Sequence, residues 1–285
     1  MSWLDVTTHR ALLEAGLVGL IGGGVGVQVV LRRLSYYTMA LTHATFPGVV
    51  AASLLGVDIF LGGGVFGLVI VAGILALRRA RGQDLTVAVG VALSAGFALG
   101  VVLLSAQNGF SRDLTAYTVG DILSVSDRDL VLTAAVGLVA MLGLLAFGKE
   151  LTFGAFDPAG FAAAGYPRTA VDLGVLVLVE ATVVAAVPAV GTILAIALLV
   201  APATTARLWT DRISVMTVLA VLLGAGSGVA GVLISSQVNV AAGGVIALIS
   251  GAVFAVSFVV APRGGVRRVS RTSRRSPAPA TADAP

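Results

Sequence analysis

The chain has 285 residues, 58% of them hydrophobic and only 11% charged, with a mean hydropathy of +1.03 and a formal net charge of +4. Soluble domains carry roughly 25% charged residues, so this chain has too little polar surface to cover a water-soluble core, and a lipid bilayer is the solvent that fits. With no cysteine, disulfides, thiolate metal sites, iron–sulfur clusters and thiol catalysis are excluded; the basic residues flank apolar runs, which is membrane orientation and not a nucleic-acid surface.

A transmembrane helix needs about 20 mainly apolar residues. Nine stretches qualify or nearly do: 12–31, 38–56, 59–77, 86–106, 129–147, 171–188, 190–206, 213–234 and 243–261. Isolated strands cannot satisfy their backbone in lipid, and the short alternating pattern of an outer-membrane barrel is absent. The expected fold is all-α, a polytopic bundle of eight or nine membrane helices over residues 1–263. The first run has no Ala-x-Ala pattern close behind it and is expected to be retained as a span.

The second run holds Tyr37-Thr38-Met39-Ala40-Leu41-Thr42-His43-Ala44-Thr45-Phe46-Pro47. Helical spacing puts Met39, His43 and Pro47 on one face. Pro47 has no N–H for the carbonyl of His43. An imidazole, a thioether and a freed carbonyl on one face suit a cation way-station, and polar groups inside a membrane face the protein interior. The competing reading is a histidine bonded to a neighbouring helix for packing.

Further along, small residues recur four apart: Gly19/Gly23, Gly22/Gly26, Gly63/Gly67 and Gly224/Gly228. They let helix backbones approach closely and carry no chemistry. The outer segments, before the first span and between even and odd spans, are acidic, with Asp5, Asp58, Asp113, Asp121, Asp127 and Asp129. They form either a rim from which basic residues are excluded or a docking surface for a cation-loaded partner. After the fifth span, Asp157 is a good N-cap and Pro158 a good first helical residue, while Gly165 and Pro167 supply a stop. This spacing predicts a self-contained cytoplasmic helix of about two turns, with Phe161 inside it.

Glu180 lies in the middle of the sixth run, where a carboxylate costs several kcal/mol (about 2.5–3.5 on insertion scales) unless paired or protonated. It is a candidate cation ligand, proton site or partner for a neighbouring helix. The sixth and seventh runs meet at Pro188-Ala189-Val190-Gly191, and one of them is either a full span or re-entrant. Residues 264–285 are rich in Arg, then Ser, Pro and Ala; that composition builds no core and predicts a disordered tail near anionic lipid.

Charge sets the orientation. In a nine-span arrangement, 15 of the 18 basic residues fall on one side, and only Arg10, Arg112 and Arg128 on the other. The positive-inside rule then places the N-terminus outside and the C-terminus in the cytoplasm. No Gly-x-x-x-x-Gly-Lys-Ser/Thr phosphate loop is present, since Gly148-Lys149 is followed by Glu150. The chain is therefore not expected to hydrolyse ATP, and any pumping energy comes from a partner or an ion gradient.

Over residues 12–261 the chain resembles the metal-ion permeases of ABC importers, those for manganese, zinc and iron. Leu41-Thr42-His43-Ala44-Thr45-Phe46-Pro47-Gly48 is similar to the family's second-span segment. Gly120-Asp121-Ile122-Leu123-Ser124-Val125-Ser126 with Asp129 is similar to its outer-loop signature. Phe156-Asp157-Pro158 through Gly165 resembles its coupling segment, and Val190-Gly191-Thr192-Ile193-Leu194 and Ala201-Pro202 through Leu208 its late helices. The resemblance implies a multi-pass plasma-membrane importer subunit that is not itself an enzyme. It implies a second permease subunit, cytoplasmic ABC ATPase subunits and an extracellular metal-binding protein. The divalent ion is cargo, with no resident cofactor. The resemblance also implies that the helix with Asp157, Pro158, Phe161 and Gly165 docks on the ATPase. It places His43 in the metal pathway, with Asp58, Asp113, Asp121 and Asp129 at the outer docking face.

One departure stands out: Met39 occupies the position where the family usually has Asp. A thioether suits softer ions than a carboxylate does. The chain is then one half of a heterodimer whose other half supplies the carboxylate, or it handles a softer ion such as zinc or copper, or it lacks a tight intramembrane site; the first is preferred. Two other transport classes remain open: an ABC permease for a metal chelate, and a proton-coupled secondary carrier using Glu180.

Overall fold

A computed structural model describes residues 6–81, 84–106, 122–238 and 240–262. Among them are twelve α-helices and no strand: α1 (Val6–Leu31), α2 (Ser35–Ala44), α3 (Phe46–Leu55), α4 (Ile59–Arg81), α5 (Leu85–Ser105), α6 (Asp127–Ala146), α7 (Gly148–Phe156), α8 (Pro158–Ala163), α9 (Arg168–Val190), α10 (Thr192–Trp209), α11 (Ile213–Val238) and α12 (Ala242–Val260). A 3-10 turn, Ile122–Ser124, precedes α6. The all-α membrane bundle expected from the apolar runs is the fold observed. Asp113, Asp121 and the 264–285 tail lie outside the described residues.

Among the described residues, eight segments are long and apolar enough to cross a membrane, α2 and α3 together forming one of them; α10 is shorter, apolar over Leu194–Trp209. Contacts between helices fix their directions. Gly19 meets Gly224, Gly23 meets Ala220 and Gly228 meets Ala15, so α1 and α11 are antiparallel. Gly22 lies on Leu198 and Gly26 on Leu199 and Ala203, so α10 runs parallel to α1. The turn between α9 and α10 is the single residue Gly191, at φ 81°, a left-handed conformation that glycine adopts without steric cost. These directions match the alternation of the nine-run reading.

The centre of the bundle is α1. On one side its glycines touch the backbones of α10 and α11. On another, Ile21 fills the space beside Gly137 of α6, and Met141 of α6 lies on Gly24. Ala11, Ala15, Val18, Ile21, Val25 and Val29 are all buried. Side chains facing outward are apolar as well: Leu61, Val65 and Val69 on α4, Leu138 and Val139 on α6, Leu248 and Val256 on α12. Exposed Leu and Val along whole helices are what a lipid-facing surface requires.

Polar side chains mark the two ends of α1. At its start Arg10 bonds Asp127 at 2.5 Å, and nearby Arg128 pairs with Asp58 at 2.7 Å. At the other end Arg32 bonds Asp172 of α9 at 2.7 Å. The first group lies on the face expected outside, the second on the face expected in the cytoplasm.

The second span departs from the single helix expected. It breaks at Thr45, with Pro47 opening α3. Proline lacks the N–H that would continue the α2 ladder. The Thr45 N–H bonds the carbonyl of Leu41 at 3.1 Å and closes α2. Pro47 is buried and does not share the face of Met39 and His43.

A Gly23→Val variant drives its side chain into the Ala220 backbone of α11. It is expected to lose about 2–3 kcal/mol of stability or fail to fold, as overpacking does. Gly143→Ala in α6, where a Cβ meets nothing within 4 Å, is expected to be neutral or slightly stabilising. Thermal unfolding in detergent compares the two.

Candidate functional site

Met39 and His43 lie one turn apart on α2. Met39 is 44% exposed and His43 is half-buried, its ring edge-on to Phe97 of α5 at 6.1 Å. The opposite face of α2 is interior: Tyr37 is buried and donates to the carbonyl of Leu176 on α9 at 3.3 Å. Two side chains with donor atoms thus stand on the more exposed side of a helix whose opposite face packs into the bundle. An imidazole nitrogen and a thioether sulfur are both neutral donors, and by themselves they neutralise none of a dication's charge. Among the described residues no three His, Asp or Glu side chains converge to hold a metal ion. Met39 and His43 contribute two donor atoms on this surface, with no carboxylate beside them among the described residues.

Glu180 does not join that pair. It is 2% exposed in α9, and neither carboxylate oxygen has a hydrogen-bond partner among the described residues. It borders a cavity of about 280 Å³ between α4, α6 and α9, whose lining includes Leu61, Gly64, Leu68 and Val136 but neither Met39 nor His43. Gly67 of α4 makes room for it: a Cβ there would overlap the Glu180 carboxylate. An interior carboxylate without a partner is costly, and such groups mark ion or proton paths.

The short helix expected on the cytoplasmic side is α8. Asp157 is its N-cap, accepting from the N–H of Gly160 at 2.8 Å, and Pro158 follows at the first position. Phe161 is fully buried, stacked on Tyr166 (4.7 Å between ring centres) and edge-on to Phe153 of α7 (5.4 Å). Gly165 closes the segment at φ 83°, where no neighbour restricts a side chain and only the backbone conformation asks for glycine. Asp157, Pro158, Phe161 and Gly165 thus build one compact knob.

The outer aspartates have local duties. Asp58 caps α4, accepting from the N–H of Phe60 (2.9 Å) and Leu61 (3.2 Å), and also holds Arg128. Asp129 and Ser126 form a reciprocal capping box at the start of α6. These bonds hold the carboxylates in place at the starts of α4 and α6.

Two buried polar links escaped the reading of the sequence. Glu14 of α1, fully buried, accepts from Thr133 of α6 at 2.7 Å. Arg32 reaches both Asp172 and the carbonyl of Leu151. A signal existed for the first, since Glu14 interrupts an apolar run; for the second, Arg32 read only as an orientation charge.

A family model described as the ABC 3 transport family matches residues 5–261. The chain is 36% identical to the manganese import system permease protein of Streptococcus gordonii, over 90% of this chain and 91% of the relative. It is 35% identical to the zinc transport system membrane protein of Treponema pallidum, covering 92% and 91% of the two. Among solved structures it is similar to PsaBC from Streptococcus pneumoniae in complex with Fab, with a TM-score of 0.84 and 34% identity over 94% of this chain and 96% of that one.

The fit of Glu180 against Gly67 yields a direct check. Gly67→Ala is expected to destabilise the chain by about 1–3 kcal/mol, and adding Glu180→Ala to recover most of that loss, as coupled neighbours do. Unfolding midpoints of the two single variants and the double variant measure it.

Proposed function

The chain belongs to the ABC 3 transport family of metal-ion permeases, and from that membership we propose that it is the membrane-spanning subunit of an ATP-driven importer of divalent metal ions, manganese or zinc, in the plasma membrane. The observation that carries this reading is the placement of Met39 and His43. Ligating side chains exposed on the outside of a membrane helix make sense facing a second permease subunit, with the ion passing between the two.

In this reading a metal-binding protein outside the cell docks at the face holding Asp58, Asp113, Asp121 and Asp129. The ion moves inward past His43 and Met39. Cytoplasmic ATPase subunits grip the knob built on Asp157, Pro158, Phe161 and Gly165, and their closure and opening rock the spans between outward- and inward-open states. The chain performs no covalent chemistry; hydrolysis belongs to the partner. The manganese and zinc relatives support the choice of cargo. Met39, where a carboxylate is usual, favours pairing with a second, different permease subunit that supplies the missing oxygen ligand. The basic 264–285 segment is assigned to the anionic cytoplasmic surface.

Glu180 favours a second reading, a carrier driven by protons with this carboxylate as the coupling acid. The two readings separate cleanly. In vesicles holding the whole complex, His43→Ala is expected to lower ATP-dependent uptake of ⁵⁴Mn²⁺ or ⁶⁵Zn²⁺ by about tenfold or more, the scale on which loss of one metal ligand is felt. A chelate permease would keep its uptake after the same change. Glu180→Gln is expected to leave uptake dependent on ATP and independent of a proton gradient. Uptake that follows an imposed proton gradient in the native chain and loses that response in Glu180→Gln would establish the carrier instead.

A further inference from the structure

We propose that Arg32 is the positioning residue through which the α7–α8 knob moves the helix bearing Met39 and His43. The proposal rests on the importer reading and deepens it. It starts from the stiffness of the knob. Asp157 alone separates α7 from α8, and the Phe153, Phe161 and Tyr166 rings lock the two helices and the following turn into one body. A displacement imposed on α8 is therefore passed to α7 and not absorbed between them.

From α7 a directed polar link crosses to the membrane helices through the Arg32 side chain, beside the apolar packing of Leu151. The Arg32 guanidinium donates from Nη2 to the carbonyl of Leu151 on α7 at 3.2 Å, and from Nη1 to Asp172 on α9 at 2.7 Å. Its side chain is only 9% exposed, so it is held at this junction and not swept through water. The planar fork of arginine makes two directed bonds at once, which a lysine point charge does not reproduce. Asp172 also faces Arg168 one turn earlier at 3.7 Å.

Arg32 sits in the elbow between α1 and α2, and the elbow has no slack. Arg33 is in the left-handed region at φ 58°, and the N–H of Leu34 bonds the carbonyl of Val29 at 2.8 Å. A non-glycine residue holds that conformation where its surroundings fix it. Ser35 opens α2 immediately afterwards, with Met39 and His43 one and two turns on. A cavity of about 180 Å³ bordered by Arg32, Leu34, Leu85, Pro158 and Asp172 lies between the knob and this elbow. The knob thus has space to move toward the elbow and a bond to pull it by.

The test uses the whole complex of this chain, its second permease subunit and the ATPase in sealed vesicles, with ⁵⁴Mn²⁺ uptake and phosphate release measured together. Arg32→Ala leaves Asp172 facing Arg168, so the bundle is expected to assemble. ATP hydrolysis should persist while the ions moved per ATP fall about tenfold, within the range that coupling positions command. Arg32→Lys, which keeps the charge, should fold at least as well and still couple poorly, and it carries the test if the alanine variant fails to accumulate. A merely structural role would lower hydrolysis and uptake in step and leave their ratio unchanged; that result, or a native ratio in either variant, overturns the proposal. Absence of ATP-driven uptake by the unaltered complex would instead remove the importer reading beneath it.

Discussion

Backbone contact along α1 is the constraint on which the rest of the structure depends. In lipid, apolar side chains gain little by meeting one another, because the solvent is as apolar as they are. What holds helices together is close van der Waals contact, and that needs small residues where axes cross. Gly19, Gly23 and Gly26 on α1, with Gly224 and Gly228 on α11, supply that closeness. With α1 fixed against α10 and α11, its remaining faces receive α6 and α9, and the polar residues at its two ends are brought to the membrane surfaces.

The polar side chains then sort by whether the fold already uses them. Asp58, Asp129 and Asp157 close helix ends. Arg10 ties α1 to the start of α6, Arg128 ties that start to Asp58 before α4, and Glu14 is bound by Thr133. Set apart from these are His43 and Met39, turned to the outside of the bundle, and Glu180, buried with no hydrogen-bond partner among the described residues. These groups lie on different faces of the chain.

Much of this was legible because it is local. An apolar run of 20 residues announces a span without help from the rest of the chain, and all nine runs are helical. Asp157-Pro158 and Gly165 announced a short helix because capping and the left-handed stop act within a few residues. The break at Thr45 was half legible: Pro47 was read as weakening a ladder inside one helix, whereas it ends α2 and opens α3. Glu14–Thr133 and Arg32–Asp172 join residues 119 and 140 apart, and nothing within either neighbourhood points to its partner. For the candidate pathway, spacing placed Met39 and His43 on one face correctly. Spacing is silent on which way a helix turns in the bundle, so the separation of Glu180 from that face emerged only in three dimensions.

The central claim is that cargo moves through this chain at the expense of nucleotide consumed by a neighbour. Its most direct measurement is accumulation of ⁵⁴Mn²⁺ or ⁶⁵Zn²⁺ in vesicles containing this chain alone and this chain with its ATPase and second subunit, each with and without ATP. The account predicts accumulation only in the complete, ATP-supplied vesicles. Accumulation by the chain alone, or in the complete vesicles without ATP, would contradict it.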